Sequence, residues 1–104
     1  MKILTLCENG NNRSVQFMHL LRYKYRGSDV IPAGTEMMST KTLAMLYNWA
    51  DIIIVVEKKL VERVPSQFQS KIKLWDVGPD HYPRSFNPTL LRLARKMIED
   101  NPLP

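Results

Sequence analysis

The stretch KILTLCENGNNRSV, residues 2 to 15, decides the fold because it joins two periodic patterns through a run of turn-forming residues. Its first five residues, 2 to 6, form a short segment that is mostly apolar and partly β-branched, which predicts a buried strand that ends near Cys7. From Ser14 onward, apolar residues recur at spacings of three and four and the pattern stops at Gly27, which predicts an amphipathic helix. Residues 7 to 12 are therefore a strand-to-helix loop, and it begins with the only cysteine of the chain.

Strand and helix patterns alternate along the rest of the chain. The continuous apolar run DIIIVVE at 51 to 57 is typical of a strand in the middle of a parallel sheet that is covered on both faces. Pro32 favours an edge position for the weaker strand predicted at 28 to 34. The other predicted elements are a helix capped by Ser39 or Thr40, a short helix at 58 to 64, a strand at 71 to 77, a loop at 78 to 86 and a last helix capped by Asn87 and opened by Pro88.

This alternation predicts an α/β fold with a parallel sheet and right-handed crossovers. Ligands of such sheets bind beyond the carboxyl ends of the strands. Cys7 and the loop at 78 to 86 both follow strands, so we expect them at the same edge. The length of 104 residues predicts a single domain over residues 1 to 104, with an ordinary globular composition of 44% hydrophobic and 24% charged residues.

Composition and charge narrow the function classes. A lone cysteine cannot form an internal disulfide and the N-terminal apolar run is too short for a signal peptide, so we expect a cytoplasmic protein. The longest apolar run, ADIIIVV at 50 to 56, is much shorter than the roughly 20 residues of a membrane helix. The net charge of +5 suits an anionic partner, such as a nucleic acid, an acidic protein face or a phosphorylated substrate. His19 and His81 are too few and too far apart in sequence to predict a metal site.

The loop after the first strand has the composition of a phosphate-binding loop. Asn and Gly residues can turn successive N–H groups inward around an anion, and the following helix adds its positive N-terminal end. The same field favours the thiolate of Cys7, which makes the sulfur a nucleophile. Arg13 can hold two phosphate oxygens at once, and Ser14 can donate a hydrogen bond to the thiolate and later to the departing sulfur.

Cys7 to Ser14 reads C-x5-R-S, the signature of cysteine-dependent phosphatases. Its place between a first strand and a first helix resembles that of the low-molecular-weight protein tyrosine phosphatases. The segments AGT at 33 to 35, WADIIIVVE at 49 to 57 and VGPDHY at 77 to 82 match in order and resemble most the short, predicted tyrosine-phosphatase branch of that superfamily. The resemblance covers nearly the whole chain.

This resemblance implies a flavodoxin-like three-layer sandwich with a four-stranded parallel sheet in the order 2-1-3-4. It implies hydrolysis of phosphotyrosine or small aryl phosphomonoesters through a phosphocysteine on Cys7, with Arg13 holding the transferring oxygens and with no metal or cofactor. An aspartate after the fourth strand would protonate the leaving group, a role assigned to Asp80 with Asp76 as the alternative. The predicted substrate-binding residues are Glu8, Asn9, Gly10, Asn11, Asn12 and Ser14 of the loop, and Tyr82. Tyr82 is predicted as an aromatic wall that stacks an aryl phosphate, with Tyr47 or Trp49 as the alternatives.

Three positions depart from the family pattern. The usual Gly-Asn of the loop is Asn9-Gly10 here, which leaves open which of the two takes a left-handed conformation. Asn12 stands where typical members have a second cysteine, so a protective loop disulfide is not expected. Glu8 would weaken anion binding by Coulomb repulsion if its side chain pointed into the loop.

Two other functions fit parts of the pattern. A phosphocysteine carrier of the sugar phosphotransferase type has a similar length and a comparable loop, but that loop usually ends without an arginine, so Arg13 favours hydrolysis. A non-catalytic phosphate-binding module or basic nucleic-acid binder would be favoured only if no aspartate reached the site. The sequence indicates phosphorylated protein or a small aryl phosphate as the partner, favours neither a nucleic acid nor a membrane, and indicates no oligomeric state.

Overall fold

The computed structural model describes residues 1–82 and 87–104, and within them the core is a parallel sheet of four strands. The strands are β1 Lys2–Cys7, β2 Asp29–Gly34, β3 Ile52–Val55 and β4 Ile72–Leu74. They lie in the order β2-β1-β3-β4, which confirms the predicted order and the edge position of the strand that contains Pro32. The register pairs Cys7 with Gly34 and Leu6 with Val55, so three strands end close to the cysteine.

Helices cover both faces of the sheet, as the predicted three-layer sandwich requires. The α-helices of the described residues are α1 Arg13–Lys24, α2 Thr40–Trp49 and α3 Pro88–Asp100, and two 3₁₀ helices span Lys58–Arg63 and Ser66–Lys71. One core cluster joins α1 and α3 to Ile52 and Ile54, and a second joins α2 and the first 3₁₀ helix to Ile53 and Val55. Because successive strand side chains point to opposite faces, the apolar run of β3 serves both clusters.

The helix caps follow the sequence predictions. Ser39 caps α2, because its Oγ accepts a hydrogen bond from Thr42 N at 3.1 Å. Asn87 caps α3, where its Oδ1 accepts from Thr89 N at 3.0 Å, and Pro88 is the first helical residue. Each cap satisfies backbone N–H groups that the helix itself leaves unpaired.

The fourth strand and its surroundings differ from the sequence prediction. The predicted strand at 71 to 77 ends at Leu74, although Trp75 N and Val77 N still donate to Val55 O and Val56 O at 2.9 Å. The short helix predicted at 58 to 64 is a 3₁₀ helix, and the second 3₁₀ helix was not predicted. Residues 79 to 82 of the predicted loop at 78 to 86 have no helix or strand, and residues 83–86 lie outside the described residues.

Candidate active site

The loop between β1 and α1, which we call the phosphate loop (residues 7–14), turns back on itself at Gly10. Gly10 has φ of +72°, a left-handed angle that glycine adopts without steric cost, so Gly10 rather than Asn9 takes this conformation. The loop lies directly against the end of β2, where a Cβ on Gly34 would come within 2.6 Å of Gly10 N. Thr35 N and Glu36 N also donate to Cys7 O and Glu8 O at 3.0 and 2.8 Å. The backbone after β2 therefore fixes the path of the loop.

The sulfur of Cys7 lies at the centre of this turn. The residue is 2% exposed, and its Sγ lies 3.0 Å from Gly10 N and 3.0 Å from Ser14 Oγ. Gly10 N–H points at the sulfur, and the serine hydroxyl can donate to it once the sulfur is a thiolate. Thr5 Oγ1 donates to Ser14 O at 2.8 Å and so ties the first turn of α1 to β1. Sequence reasoning had missed Thr5, whose side chain is fully buried.

Arg13, the first residue of α1, is a buried cation, with only 1% of its surface exposed. Its Nη1 donates to Glu57 Oε1 at 2.6 Å and to Gly78 O at 2.7 Å. Its Nε and Nη2 are also buried and have no hydrogen-bond partner among the described residues. One edge of the guanidinium is thus fixed by the protein, and the other keeps two adjacent donors, the arrangement that binds two oxygens of a phosphate.

Glu57 is a member of the site that sequence reasoning did not identify. It follows the buried strand β3 at the carboxyl edge of the sheet, and only 9% of its surface is exposed. A carboxylate at the end of an otherwise apolar strand run was the available signal, because a buried charge needs a partner. Arg13 is that partner.

The side chain of Glu8 pairs with Lys59. Its Oε2 accepts from Lys59 Nζ at 3.0 Å, and the same ammonium lies 3.6 Å from Glu57 Oε2. The hydrogen bond from Lys59 lowers the pKa of Glu8, and the same bond raises the pKa of Lys59. Of the other predicted loop residues, Asn9 packs its backbone against Gly34 and Asn11 is exposed.

Two aspartates lie in the segment 76–82, which we call the acid loop because it contains both residues predicted as the general acid. The carboxylate of Asp76 accepts hydrogen bonds from two backbone N–H groups, from Gly78 N at 2.7 Å and from Lys58 N at 3.2 Å. Asp80 is exposed, and its Oδ1 accepts from Asn12 Nδ2 of the phosphate loop at 3.1 Å. The structure therefore brings Asp80 to the phosphate loop, whereas Asp76 braces the turn after β4.

Tyr82 closes the acid loop. Its hydroxyl donates to Val77 O at 2.7 Å, and its own carbonyl oxygen accepts from Asn12 Nδ2 at 2.6 Å. The ring packs against the core cluster of α1 and α3, and this burial raises the pKa of the tyrosine above its ordinary value. Tyr82 therefore makes structural contacts with its hydroxyl, its ring and its carbonyl oxygen.

Metal ions and membranes were not predicted as partners. Within residues 1–82 and 87–104, no group of three or more His, Cys, Asp and Glu side chains is placed to hold a metal ion. In the same ranges no helix is sufficiently long and apolar to cross a membrane.

A comparison with solved structures shows that the chain has the fold of the low-molecular-weight tyrosine phosphatases. The tyrosine phosphatase Wzb from Escherichia coli K30, solved with phosphate, is 18% identical with a TM-score of 0.72, over 95% of this chain and 96% of that chain. The tyrosine phosphatase AmsI from Erwinia amylovora is 18% identical with a TM-score of 0.72, over 98% of this chain and 93% of that chain. The YwlE arginine phosphatase from Geobacillus stearothermophilus is 16% identical with a TM-score of 0.66, over 92% of this chain and 84% of that chain. No protein-family model matches the sequence, and no curated protein matches it.

Proposed function

We propose that the chain is a cysteine-dependent phosphatase that hydrolyses phosphotyrosine or small aryl phosphomonoesters through a phosphocysteine on Cys7. The observation that carries this proposal is the environment of the sulfur, which lies 3.0 Å from Gly10 N and from Ser14 Oγ at the N-terminal end of α1. Two donors and a helix N-terminus stabilise negative charge on the sulfur, both when it attacks phosphorus and when it leaves.

In the first step, the Cys7 thiolate attacks phosphorus, the S–P bond forms and the P–O ester bond breaks. Arg13 Nε and Nη2, the donors that have no partner among the described residues, hold two of the transferring oxygens. Glu57 and Gly78 O keep the guanidinium in place from its other edge. Asp80 gives its proton to the departing aryl oxygen.

In the second step, water attacks the phosphocysteine and releases inorganic phosphate. Asp80, now a carboxylate, takes a proton from the water as the P–O bond forms. The S–P bond breaks and the sulfur leaves as a thiolate, which Gly10 N–H and the Ser14 hydroxyl stabilise. The residues return to their starting protonation states.

The proposal is tested by hydrolysis of 4-nitrophenyl phosphate, with Cys7→Ala as the variant that cannot accept a phosphoryl group. We expect turnover by the wild type, inhibition by inorganic phosphate, and a loss of at least about a thousandfold in Cys7→Ala. Unchanged turnover in Cys7→Ala would contradict the proposal. Phosphotyrosine peptide and phosphoarginine, tested side by side, distinguish the two substrate types named for the similar structures.

The alternative functions give different results in the same assay. A phosphoryl carrier would release one equivalent of nitrophenol and then stop, because its phosphocysteine persists. A non-catalytic phosphate-binding module would bind phosphate, measured by calorimetry, and release no nitrophenol. Arg13, buried within the site, supports turnover over a persistent phosphocysteine. Asp80, in contact with the phosphate loop, supports turnover over phosphate binding alone.

A further inference from the structure

The side chain of Asn12 joins the two loops of the site. Asn12 is 7% exposed and immediately precedes Arg13 at the start of α1. A residue at this position commonly caps its own helix, but among the described residues the Asn12 side chain makes no such bond. Its amide instead donates to Asp80 Oδ1 at 3.1 Å and to Tyr82 O at 2.6 Å.

Apart from Asn12, the acid loop is held from outside by Arg13 Nη1, which donates to Gly78 O, and by Lys58 N, which donates to Asp76. Its other contacts lie within the loop and at its base. Tyr82 Oη bonds to Val77 O, Gly78 N bonds to Asp76, and Val77 N bonds to β3 at Val56 O. These contacts shape the loop but leave the exposed Asp80 carboxyl undirected. The Asn12 amide fixes one of the two oxygens of that carboxyl.

We propose that Asn12 is a positioning residue that orients Asp80 for proton transfer. Because Asp80 Oδ1 accepts the Asn12 N–H, the transferable proton resides on Oδ2. That proton passes to the ester oxygen as the P–O bond breaks, and the same orientation returns Asp80 as a base for water. The inference rests on the proposed function, since it gives Asp80 the role of the acid.

Asn12 and Arg13 are consecutive residues, and both contact the acid loop. Arg13 holds Gly78 O, and Asn12 holds Asp80 and Tyr82 O, so two consecutive residues carry both side-chain links to the acid loop. The group that binds the phosphoryl oxygens and the group that orients the acid therefore belong to one helical turn. A fixed distance between phosphorus and acid follows from this arrangement.

The test is a double-mutant cycle of Asn12→Ala and Asp80→Asn, with the phosphorylation step isolated by pre-steady-state bursts. Loss of an acid slows poor leaving groups most, so Asn12→Ala should slow phenyl phosphate by about tenfold or more and 4-nitrophenyl phosphate by about twofold. Inhibition by inorganic phosphate should be unchanged within about twofold. In the Asp80→Asn background, Asn12→Ala should add almost nothing, because both changes act through one group.

Hydrogen exchange gives a readout that is independent of activity. The amides of residues 76 to 82 should exchange faster in Asn12→Ala than in the wild type, while those of β1 and β3 should not change. If Asn12→Ala fails to fold, Asn12→Asp takes its place, because it replaces the amide donor by a carboxylate. Asn12→Asp should show the faster exchange of residues 76 to 82 and the steeper leaving-group dependence expected for Asn12→Ala.

Each contrary outcome has one meaning. If Asn12→Ala slows all esters equally and weakens phosphate inhibition, Asn12 shapes the phosphate loop and the positioning role is wrong. If Asp80→Asn steepens the leaving-group dependence but Asn12→Ala changes neither it nor the exchange, only the positioning role is overturned. If Asp80→Asn itself has no effect, or Cys7→Ala retains turnover, the proposed mechanism fails and the positioning role with it.

Discussion

The phosphate loop and the acid loop follow neighbouring parts of the same sheet edge but are held in different ways. The phosphate loop is fixed by short-range contacts, such as Gly10 N to Cys7 Sγ, and by backbone bonds to the end of β2. The acid loop connects to it through two side chains, Asn12 and Arg13, that lie 68 and 65 residues away from their partners Asp80 and Gly78. The phosphate loop, called the cradle below, is therefore held mainly through backbone groups, whereas the acid loop is joined to it through the side chains of Asn12 and Arg13.

This difference predicts which substitutions damage one loop and which damage both. A change in the cradle should affect all substrates and phosphate binding alike. A change in the links should affect the acid, and so the substrates with poor leaving groups. Arg13 belongs to both regions, and its substitution should therefore have the largest effect.

Arg13→Lys should lower turnover of 4-nitrophenyl phosphate by about 100- to 1,000-fold, the size of loss seen when one transition-state donor is removed. A lysine keeps the charge but cannot present two adjacent donors while also holding Glu57 and Gly78 O. Steady-state kinetics and circular dichroism check the result, with Arg63→Lys as a matched control because Arg63 is an exposed residue paired with Glu36. Near-wild-type turnover in Arg13→Lys would remove Arg13 from the mechanism.

The same difference explains how much of the site could be predicted from sequence. Cys7, Gly10 and Ser14 lie within eight residues, so their spacing and the flanking strand and helix patterns predict their proximity. Glu57 and Lys59 approach the loop only because β3 lies beside β1, a pairing that brings together residues 44 and 51 positions apart. No local pattern specifies which side chains meet across such distances.

The fold itself was predictable to a similar extent. The alternation of strands and helices and the caps at Ser39 and Asn87 follow from local propensity and periodicity, and they were confirmed. The second 3₁₀ helix, Ser66–Lys71, was not predicted, because the three-residue turn of such a helix leaves no distinct apolar period. The strand predicted at 71 to 77 was too long, since β4 ends at Leu74. The role of Asp80 stays a prediction, which the structure makes testable through its contact with Asn12.

Gly34→Ala should damage the cradle and leave the acid loop intact. Its Cβ would lie 2.6 Å from Gly10 N, and the backbone on both sides must shift, at a cost of about 1–3 kcal/mol. We expect turnover to fall about tenfold for good and poor leaving groups alike, because displacement of Gly10 N removes a donor to the sulfur. Urea unfolding and the leaving-group series measure the two effects.

Gly27→Ala is the matched control for this substitution. Gly27, unlike Gly34, has a positive φ, +92°, and a Cβ there meets no atom of the described residues within 4 Å. It should lose stability through backbone strain and keep its turnover. An equal loss of turnover in the two variants would show that Gly34→Ala acts through stability alone, and the proposed contact between β2 and the cradle would have no catalytic meaning.

The smallest effect is expected at Lys59, which lies at the rim of the cradle. Lys59→Met leaves Glu8 and Glu57 without the ammonium that lies 3.0 and 3.6 Å from their oxygens, so inhibition by inorganic phosphate should weaken by about two- to fivefold at low salt. The loss should shrink at high salt, since exposed charges are screened, and the pKa of Glu8 should rise towards its ordinary value once the hydrogen bond is gone. Adding Glu8→Gln to Lys59→Met removes the unpaired carboxylate and should restore much of the phosphate affinity. Lys58→Met is the control at the exposed neighbouring lysine, and it should lower the phosphate affinity less than Lys59→Met does. If the double variant binds phosphate no better than Lys59→Met, the carboxylate of Glu8 is too distant to repel the anion, and the rim has no part in the electrostatics of the cradle.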